Sequence, residues 1–374
     1  MPTPDNDKVN LLIGGNVHGD WSSYEIDSDL LTPADGWAVS LGLSDGNVPP
    51  DVVAGAAVKV MVGGDVVMTG YVDEVNQAVS KSSHSLSMSG RDLAADLIDC
   101  SAPIFTAKLV SLKQVIAKIV SDFHIKIRID ADATRTRTKV SIEPGDTAWD
   151  ALARAAEANG LWPWFEPDGT LVIGRPDYTT PVVASLIIRK NGEENNLISL
   201  SKQESMHGRY SKVTVYGQTP GTDTEQGKNA QHGSFADDGV SRYRPKIAID
   251  HECDSPAVCR DRAHKIITDS RLNGLTLSAT VKGHRIVAPG KDSDGWLWTP
   301  GQRVHVYSEP HGINGVFFLM ARKFNRNRQD GTRTVLTLKE DGVWAIYAHP
   351  HKNNHRLGKN AMPGKIIDVT GAAS

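Results

Sequence analysis

The sequence predicts a mainly β chain of the α+β class: two similar small β-barrel modules, an α+β domain and a helix-containing insertion. Three observations predict it. Residues 57–100 read as a strand, a Gly63-Gly64-Asp65 turn, a second strand, a polar break, and a third strand that runs through Gly90-Arg91-Asp92 into a helical turn. The same plan returns near the C-terminus, where Val304-His-Val-Tyr307 leads through Pro310-His311-Gly312 to Gly315–Arg322, and a polar break precedes Thr332–Leu338. Between the two lie stretches of helical period, so the repeat is interrupted rather than tandem.

From Lys8 to Ser89 nearly everything has β character. Val9–Ile13 ends at Gly14-Gly15, Trp37–Leu43 alternates with period two, and Ser44–Asp51, with Gly and paired prolines, is a loop. About six strands in so short a span suit a small barrel or sandwich, placed at residues 1–102. Residues 103–181 form the α+β domain. There Ser111 caps a helix whose apolar face is Leu112, Val115, Ile116, Ile119 and Phe123. A second helix carries Trp149, Leu152, Ala153 and Ala156, closes at Gly160, and is followed by a hairpin around Glu166-Pro-Asp-Gly169. The second β-module is expected from residues 182–217 and 286–346. Residues 218–285 are the insertion: a polar, flexible stretch from Gly217 to Gly239, then a helix opened by Ser255-Pro256 and ending near Leu272. The His-, Asn- and Lys-rich residues 347–374 form a tail.

Composition excludes several classes. Net charge is −3, with 41 basic against 44 acidic side chains, so no global field draws the chain to nucleic acid or to a membrane surface. No apolar run approaches the roughly 20 residues of a span, and no direct membrane insertion is expected. The N-terminus has no basic region followed by an apolar core, so no secretory signal is expected. Three cysteines cannot make a disulfide framework, which fits a reduced, cytoplasmic origin.

No constellation carries chemistry. Ser87-Met-Ser89-Gly90 lacks the leading glycine of a nucleophile elbow, and Gly14–Gly19 misses the dinucleotide spacing. His251, Cys253, Cys259 and His264 cluster, but their spacing matches no common structural-zinc pattern, and Cys259 fits the apolar face of its helix. His349, His351 and His355 sit in the polar tail. Asp130/Asp132 and Asp292/Asp294 lack the Glu that completes a calcium loop. The basic set Arg322, Lys323, Arg326, Arg328 and Arg333 has no aromatic stacking partners and reads as a solvated hairpin face, not a specific nucleic-acid site. Trp162 and Trp164 flank Pro163 and would stack on sugars if exposed, but the adjacent helix favours core packing. No catalytic residue, cofactor or metal site is expected, and the chain reads as a non-enzyme.

Three stretches, in order along the chain, resemble the baseplate hub proteins of contractile-tailed phages, the Mu-type tail proteins of the late-control family. That family is also similar to the N-terminal part of type VI secretion spike proteins. The first stretch is Thr69-Gly-Tyr-Val-Asp-Glu-Val with Ser87-Met-Ser-Gly-Arg-Asp and Asp96-Leu-Ile-Asp-Cys-Ser. The second runs from Thr147-Ala-Trp-Asp-Ala-Leu-Ala-Arg through Glu166-Pro-Asp-Gly-Thr-Leu-Val-Ile. The third comprises Arg262-Ala, Leu275-Thr-Leu-Ser-Ala-Thr-Val-Lys-Gly, Trp298-Thr-Pro-Gly-Gln-Arg-Val and Gly331-Thr-Arg-Thr-Val-Leu-Thr-Leu.

The resemblance implies a homotrimeric ring in a virion tail baseplate, assembled in the host cytoplasm. Its partners would be a central spike protein, a tail tube or tube-initiator protein, and surrounding baseplate wedge proteins. Two modules in each of three chains offer six similar positions around a channel that passes DNA. On this reading the contacts between chains fall on Val58, Val60, Val62, Tyr71 and Val75, and on Val304, Val306, Phe317 and Leu319. The alternatives are a carbohydrate- or receptor-binding tail module and a type VI-like spike component. The spike reading is disfavoured by the lack of a long Gly/Val-rich β-helix extension.

Overall fold

The computed structural model describes residues 5–344, apart from 44–47, 105, 108–109, 131–135, 138–139, 143–144, 158, 220–227, 251–252 and 254. The first module holds β1 (Val9–Ile13), β2 (Asn16–His18), β3 (Ser23–Asp29), β4 (Gly36–Gly42), β5 (Ala57–Val62), β6 (Asp65–Val79) and β7 (His84–Asp92), and α1 (Ala94–Asp99) leaves it. Alternation drives these strands: Val9, Leu11 and Ile13 on β1 and Val58, Val60 and Val62 on β5 point inward, while intervening side chains face out. Asp92 ends β7 by accepting the Ala94 backbone N–H at 2.9 Å, which starts α1.

The α+β domain follows. It contains β8 (Thr106–Ala107), β9 (Val110–Ser111), α2 (Leu112–Val120), β10 (Ile127–Ile129), β11 (Thr136–Arg137), β12 (Val140–Ser141), α3 (Ala148–Glu157), β13 (Trp162–Phe165) and β14 (Leu171–Gly174). A full capping box starts α2: the Ser111 hydroxyl accepts from Gln114 N–H, and the Gln114 side chain accepts from Ser111 N–H. Truncating Ser111 to alanine is expected to cost this domain about 1 kcal/mol in urea unfolding. The apolar faces of α2 and α3 close over Leu171 and Ile173 of β14, which pairs parallel with β10 and antiparallel with β13.

The remaining strands of the large sheet are interrupted. After β15 (Val182–Ile188) and β16 (Ser199–Glu204) come β17 (Lys212–Thr219), β18 (Lys228–Ala236), β19 (Pro245–Ile249) and α4 (Pro256–Leu272). The chain then returns with β20 (Leu275–Lys282), β21 (Arg303–Ser308), β22 (Ile313–Asn327) and β23 (Gly331–Glu340). Two expectations need correction here. β17 leaves the second module and forms a separate sheet with β18 and β19, whereas β20 lies in the large sheet between β16 and β23. The inserted unit therefore occupies the chain between β16 and β20 rather than residues 218–285. The cause is packing. Val213 and Val215 of β17 face Cys259, Ala263 and Ile267 of α4, while Leu277, Ala279 and Val281 of β20 face the main core. The second correction is β18, a strand within the polar stretch expected to be flexible, held by antiparallel pairing to β17. Residues 220–227, Asp132, His251 and the tail 347–374 lie outside the described residues.

The modules share one 13-stranded sheet and one hydrophobic cluster. Their strand orders are the same. The first runs β3-β4-β7-β6-β5-β1 and the second β16-β20-β23-β22-β21-β15. Sequence order maps between them strand for strand, with the inserted unit taking the place of the short β3–β4 connection. Both long middle strands have 15 residues, and each carries a register shift, at Val72/Glu74 in β6 and at Leu319/Ala321 in β22. One difference remains: β1 pairs antiparallel with β5, whereas β15 pairs parallel with β21. The modules are joined edge to edge by β22 and β3, antiparallel, from Ala321↔Asp29 to Arg326↔Tyr24.

Candidate assembly surfaces

The residues expected to form contacts between chains separate into two groups. Val58, Val60, Val62, Val304, Val306, Phe317 and Leu319 are buried in the chain's own core. They are corrected from contact residues to core residues, because the inward face of each strand is the apolar one. Tyr71 is 37% exposed and Val75 is partly buried at the rim of the core.

The opposite face of the joined sheet is concave and polar. Strands β3, β4, β7 and β22 line it with Ser23, Glu25, Ser40, Ser87, Ser89 and Asn325. Two of its basic side chains are paired in place, and Arg326 also lines it. Lys323 Nζ lies 2.6 Å from Glu25 Oε1, and Arg333 Nη2 lies 3.0 Å from Asp330 Oδ1. These are exposed pairs of small energetic worth, but they remove two of the local positive charges that would hold a phosphate. The basic set read in the sequence as a solvated face is therefore divided: Arg322 is buried, while Lys323 and Arg333 are paired on the surface.

Arg322 lies at the joint of the modules. Its guanidinium sits 3.9 Å from the Phe324 ring centroid and donates to the Ile26 carbonyl at 3.1 Å. Burial lowers its pKa to about 10. Asp35, on the β3–β4 connection, is pushed up to about 6 by burial, and Asp92 is raised by burial and by the neighbouring Asp35 charge. Beside this, His284 bridges the modules. It takes the Tyr24 hydroxyl on Nε2 at 2.7 Å and faces Thr334 Oγ1 through Nδ1 at 3.0 Å. Arg285 extends the tie toward the N-terminus and β6, donating to Asn6 O at 3.1 Å and to Asp65 Oδ2 at 2.8 Å. None of these residues was singled out from the sequence except Arg322; contacts across some 300 positions leave no periodic signal.

Among the open strand edges of the large sheet, two belong to the strands that correspond by duplication to β22 and β3. In β6, Asp65–Tyr71 pair with β5, but Glu74–Val79 pair with β7 alone. β16 pairs with β20 alone. Single exposed apolar side chains lie on loops of both modules: Val53 before β5, and Val287 and Trp296 before β21. Among the described residues no group of three His, Cys, Asp or Glu is placed to hold a metal ion. Cys259 is buried against Val213 and Val215, and His264 stacks on Phe235 at 3.8 Å. Trp162 packs edge-on to Trp344 and donates its indole N–H to Leu30 O at 2.6 Å.

Comparison with known proteins gives a consistent set of matches. Four family models match in succession: the Mu phage baseplate assembly protein GpP-like N-terminal domain (residues 8–92), the second domain of baseplate hub protein gp44-like (94–175), the third domain of tail protein NMB1110-like (209–267), and a tail protein C-terminal domain (269–343). The chain is similar to the tail protein of Neisseria meningitidis MC58, with 38% identity and a TM-score of 0.79, covering 92% of this chain and 99% of that one. It is 25% identical to the 43 kDa tail protein of prophage MuSo2 from Shewanella oneidensis, with a TM-score of 0.80, covering 90% of this chain and 99% of that one. Against the baseplate hub protein gp44 of Escherichia phage Mu the identity is 24% over 366 residues, 94% of this chain and 92% of the relative.

Proposed function

The chain belongs to the Mu-type phage tail proteins that form the baseplate hub, and on that premise we propose that three copies build a ring joining a central spike to the tail tube of a contractile tail. The observation that carries the reading is the duplicated module. Two six-strand units of one topology, joined edge to edge, give each chain two quasi-equivalent positions. Three chains then present six, which matches a three-fold spike on one side to a six-fold tube on the other. The wedge proteins of the baseplate would meet the outer surface, where the α+β domain and the inserted unit project. Assembly takes place in the host cytoplasm and the product is a virion component.

DNA passage follows from the same geometry. The concave polar face would line the channel, and its serines, asparagine and the Lys323–Glu25 and Arg333–Asp330 pairs leave Arg326 as the lining basic side chain outside these pairs, a weak hold on a polyanion. No reaction is assigned to this surface. The work is done by shape and edge complementarity.

Light scattering on the purified protein, followed by electron microscopy of end-on views, tests the reading. Three chains per particle and a three-fold ring with six similar lobes are expected. A species that stays monomeric at tens of micromolar overturns the self-assembled ring.

A further inference from the structure

We infer that the ring closes by strand addition: the open half of β6 in one chain pairs antiparallel with the open edge of β16 in the next, in a register fixed by the internal duplication. The inference rests on the ring reading above and specifies the joint within it.

The template is inside the chain. The second half of β22 (Ala321–Arg326) pairs with β3, which joins the second module to the first. The duplicate of β22 is β6 and the duplicate of β3 is β16. Yet these duplicates each have an open edge on the side that the internal joint fills. Every joint between modules is thus filled within the chain except one, and that one has its two halves at opposite ends of the joined sheet. A contact of this kind is heterologous, with a different surface on each partner, so it builds a ring where the rotation closes, as the three-chain reading requires, and not a two-fold dimer.

Register follows residue by residue. The shift after Leu319 in β22 corresponds to that after Val72 in β6, because Leu338 opposes Leu319 as Gly90 opposes Val72. Ala321 therefore corresponds to Glu74, and Phe324 to Gln77. On the other side, Ile26 pairs with Trp37, which pairs with Gly90; Lys202 pairs with Leu277, which pairs with Leu338. Ile26 thus corresponds to Lys202. Since Phe324 opposes Ile26, Gln77 should oppose Lys202 of the neighbouring chain, with Asn76 opposite Gln203 and Val79 opposite Leu200.

An independent check comes from the faces. Asn76 belongs to the concave polar side, whereas Val75 and Leu200 pack against the hydrophobic core. In the derived register polar side meets polar side, and Val79, 65% exposed in the single chain, meets Leu200. A slip of one residue would put every side chain on the wrong face. Where the internal joint buries Phe324 against Ile26, the external one places Gln77 and Lys202. A polar edge with Lys202 and Glu204 keeps a free chain from uncontrolled strand pairing before assembly.

Paired cysteines test the joint. In a Cys100→Ser background, because that thiol is exposed, the combinations Asn76→Cys/Gln203→Cys and Gln77→Cys/Lys202→Cys are oxidised with copper phenanthroline. Both are needed because adjacent pairs alternate between near and far spacing. At least one should give a covalent three-chain species on non-reducing gels. The slipped pair Asn76→Cys/Lys202→Cys should give at least ten-fold less. Particles of three chains without either cross-link overturn the edge pairing while the ring stands. Monomers by light scattering overturn the ring and this joint together.

Discussion

Replacing Gly90 by alanine is expected to destabilise the first module by about 3 kcal/mol or more, and Gly70→Ala to do the same. A Cβ on Gly90 would lie 2.0 Å from the Tyr71 carbonyl oxygen and 2.8 Å from the Trp37 ring. One on Gly70 would lie 1.9 Å from the Arg91 carbonyl oxygen. The shortest contact in each case is with backbone on the facing strand, so no rotamer change relieves it; β6 and β7 would have to move apart. The site is where β6 changes partners, leaving β5 and continuing beside β7 toward its open half. Separation here would therefore weaken the core and displace the edge that meets the next chain. Gly64→Ala is the control: no atom lies within 4 Å of its added Cβ, and a change within about 0.5 kcal/mol is expected. Urea unfolding of the three variants, followed by tryptophan emission, decides it. Equal midpoints for Gly90→Ala and Gly64→Ala would show that the strands are not held this close.

That close approach marks the boundary of what the sequence reveals. Local grammar was legible. Ser111 and Ser255-Pro256 start the helices α2 and α4, Gly63-Gly64 turns the β5–β6 hairpin, and the three-strand repeat gives β5–β7 and β21–β23. What periodicity supplies is the inward face of a strand, never its neighbour. Hence alternation alone does not assign β17 and β20, both valine- or leucine-rich strands, to their sheets, and the alternating valines of β5 and β21, which fit a contact surface as well as a core, are core. β18 has too few apolar residues to announce itself; its order comes from β17 on one side and from α4, which packs close over Gly233. The glycines are subtler still. The positions in the second module that correspond to Gly70 and Gly90 hold Phe317 and Leu338, so the module plan itself does not require glycine there. Gly90 is required because the Trp37 ring packs against it, a pairing visible only once β4 lies beside β7.

The joint between the modules should be acid-sensitive through His284. This residue is buried, and its pKa is lowered to about 3, by burial first and then by the Arg322 and Arg285 charges. Thr334 Oγ1 donates to the Gly283 carbonyl at 2.6 Å, so it accepts from His284 Nδ1–H, and Nε2 is left to accept the Tyr24 hydroxyl. The neutral ring satisfies every partner; a charged one would have to turn the Tyr24 hydroxyl round to accept from Nε2–H, in a buried site that already faces the Arg322 charge. In the unfolded chain the ring titrates near 6.5. Its contribution to stability is thus fully present above that pH and is lost as pH falls from about 6.5 towards 3. Asp35 and Asp92 act in the opposite sense. Their folded pKa values are raised, so the unfolded chain gives up their protons first; the cost of Asp35 to stability fades as pH falls through about 6, and that of Asp92 fades in the same direction. Other carboxyls add slopes of both signs, Asp7 and Asp29 being raised and Asp51, Asp99, Asp168, Asp177 and Asp237 lowered, so the difference between wild type and His284→Leu is what isolates the histidine. At pH 7.5 the variant should be less stable by about 2 kcal/mol, having removed the acceptor of the buried Tyr24 hydroxyl and the donor to Thr334 Oγ1. That difference should shrink steadily as pH falls to 4.5, where the wild type is losing what the variant never had. A constant gap between the two curves would mean that His284 keeps an ordinary pKa at the joint. In that case its two hydrogen bonds would be the whole of its role.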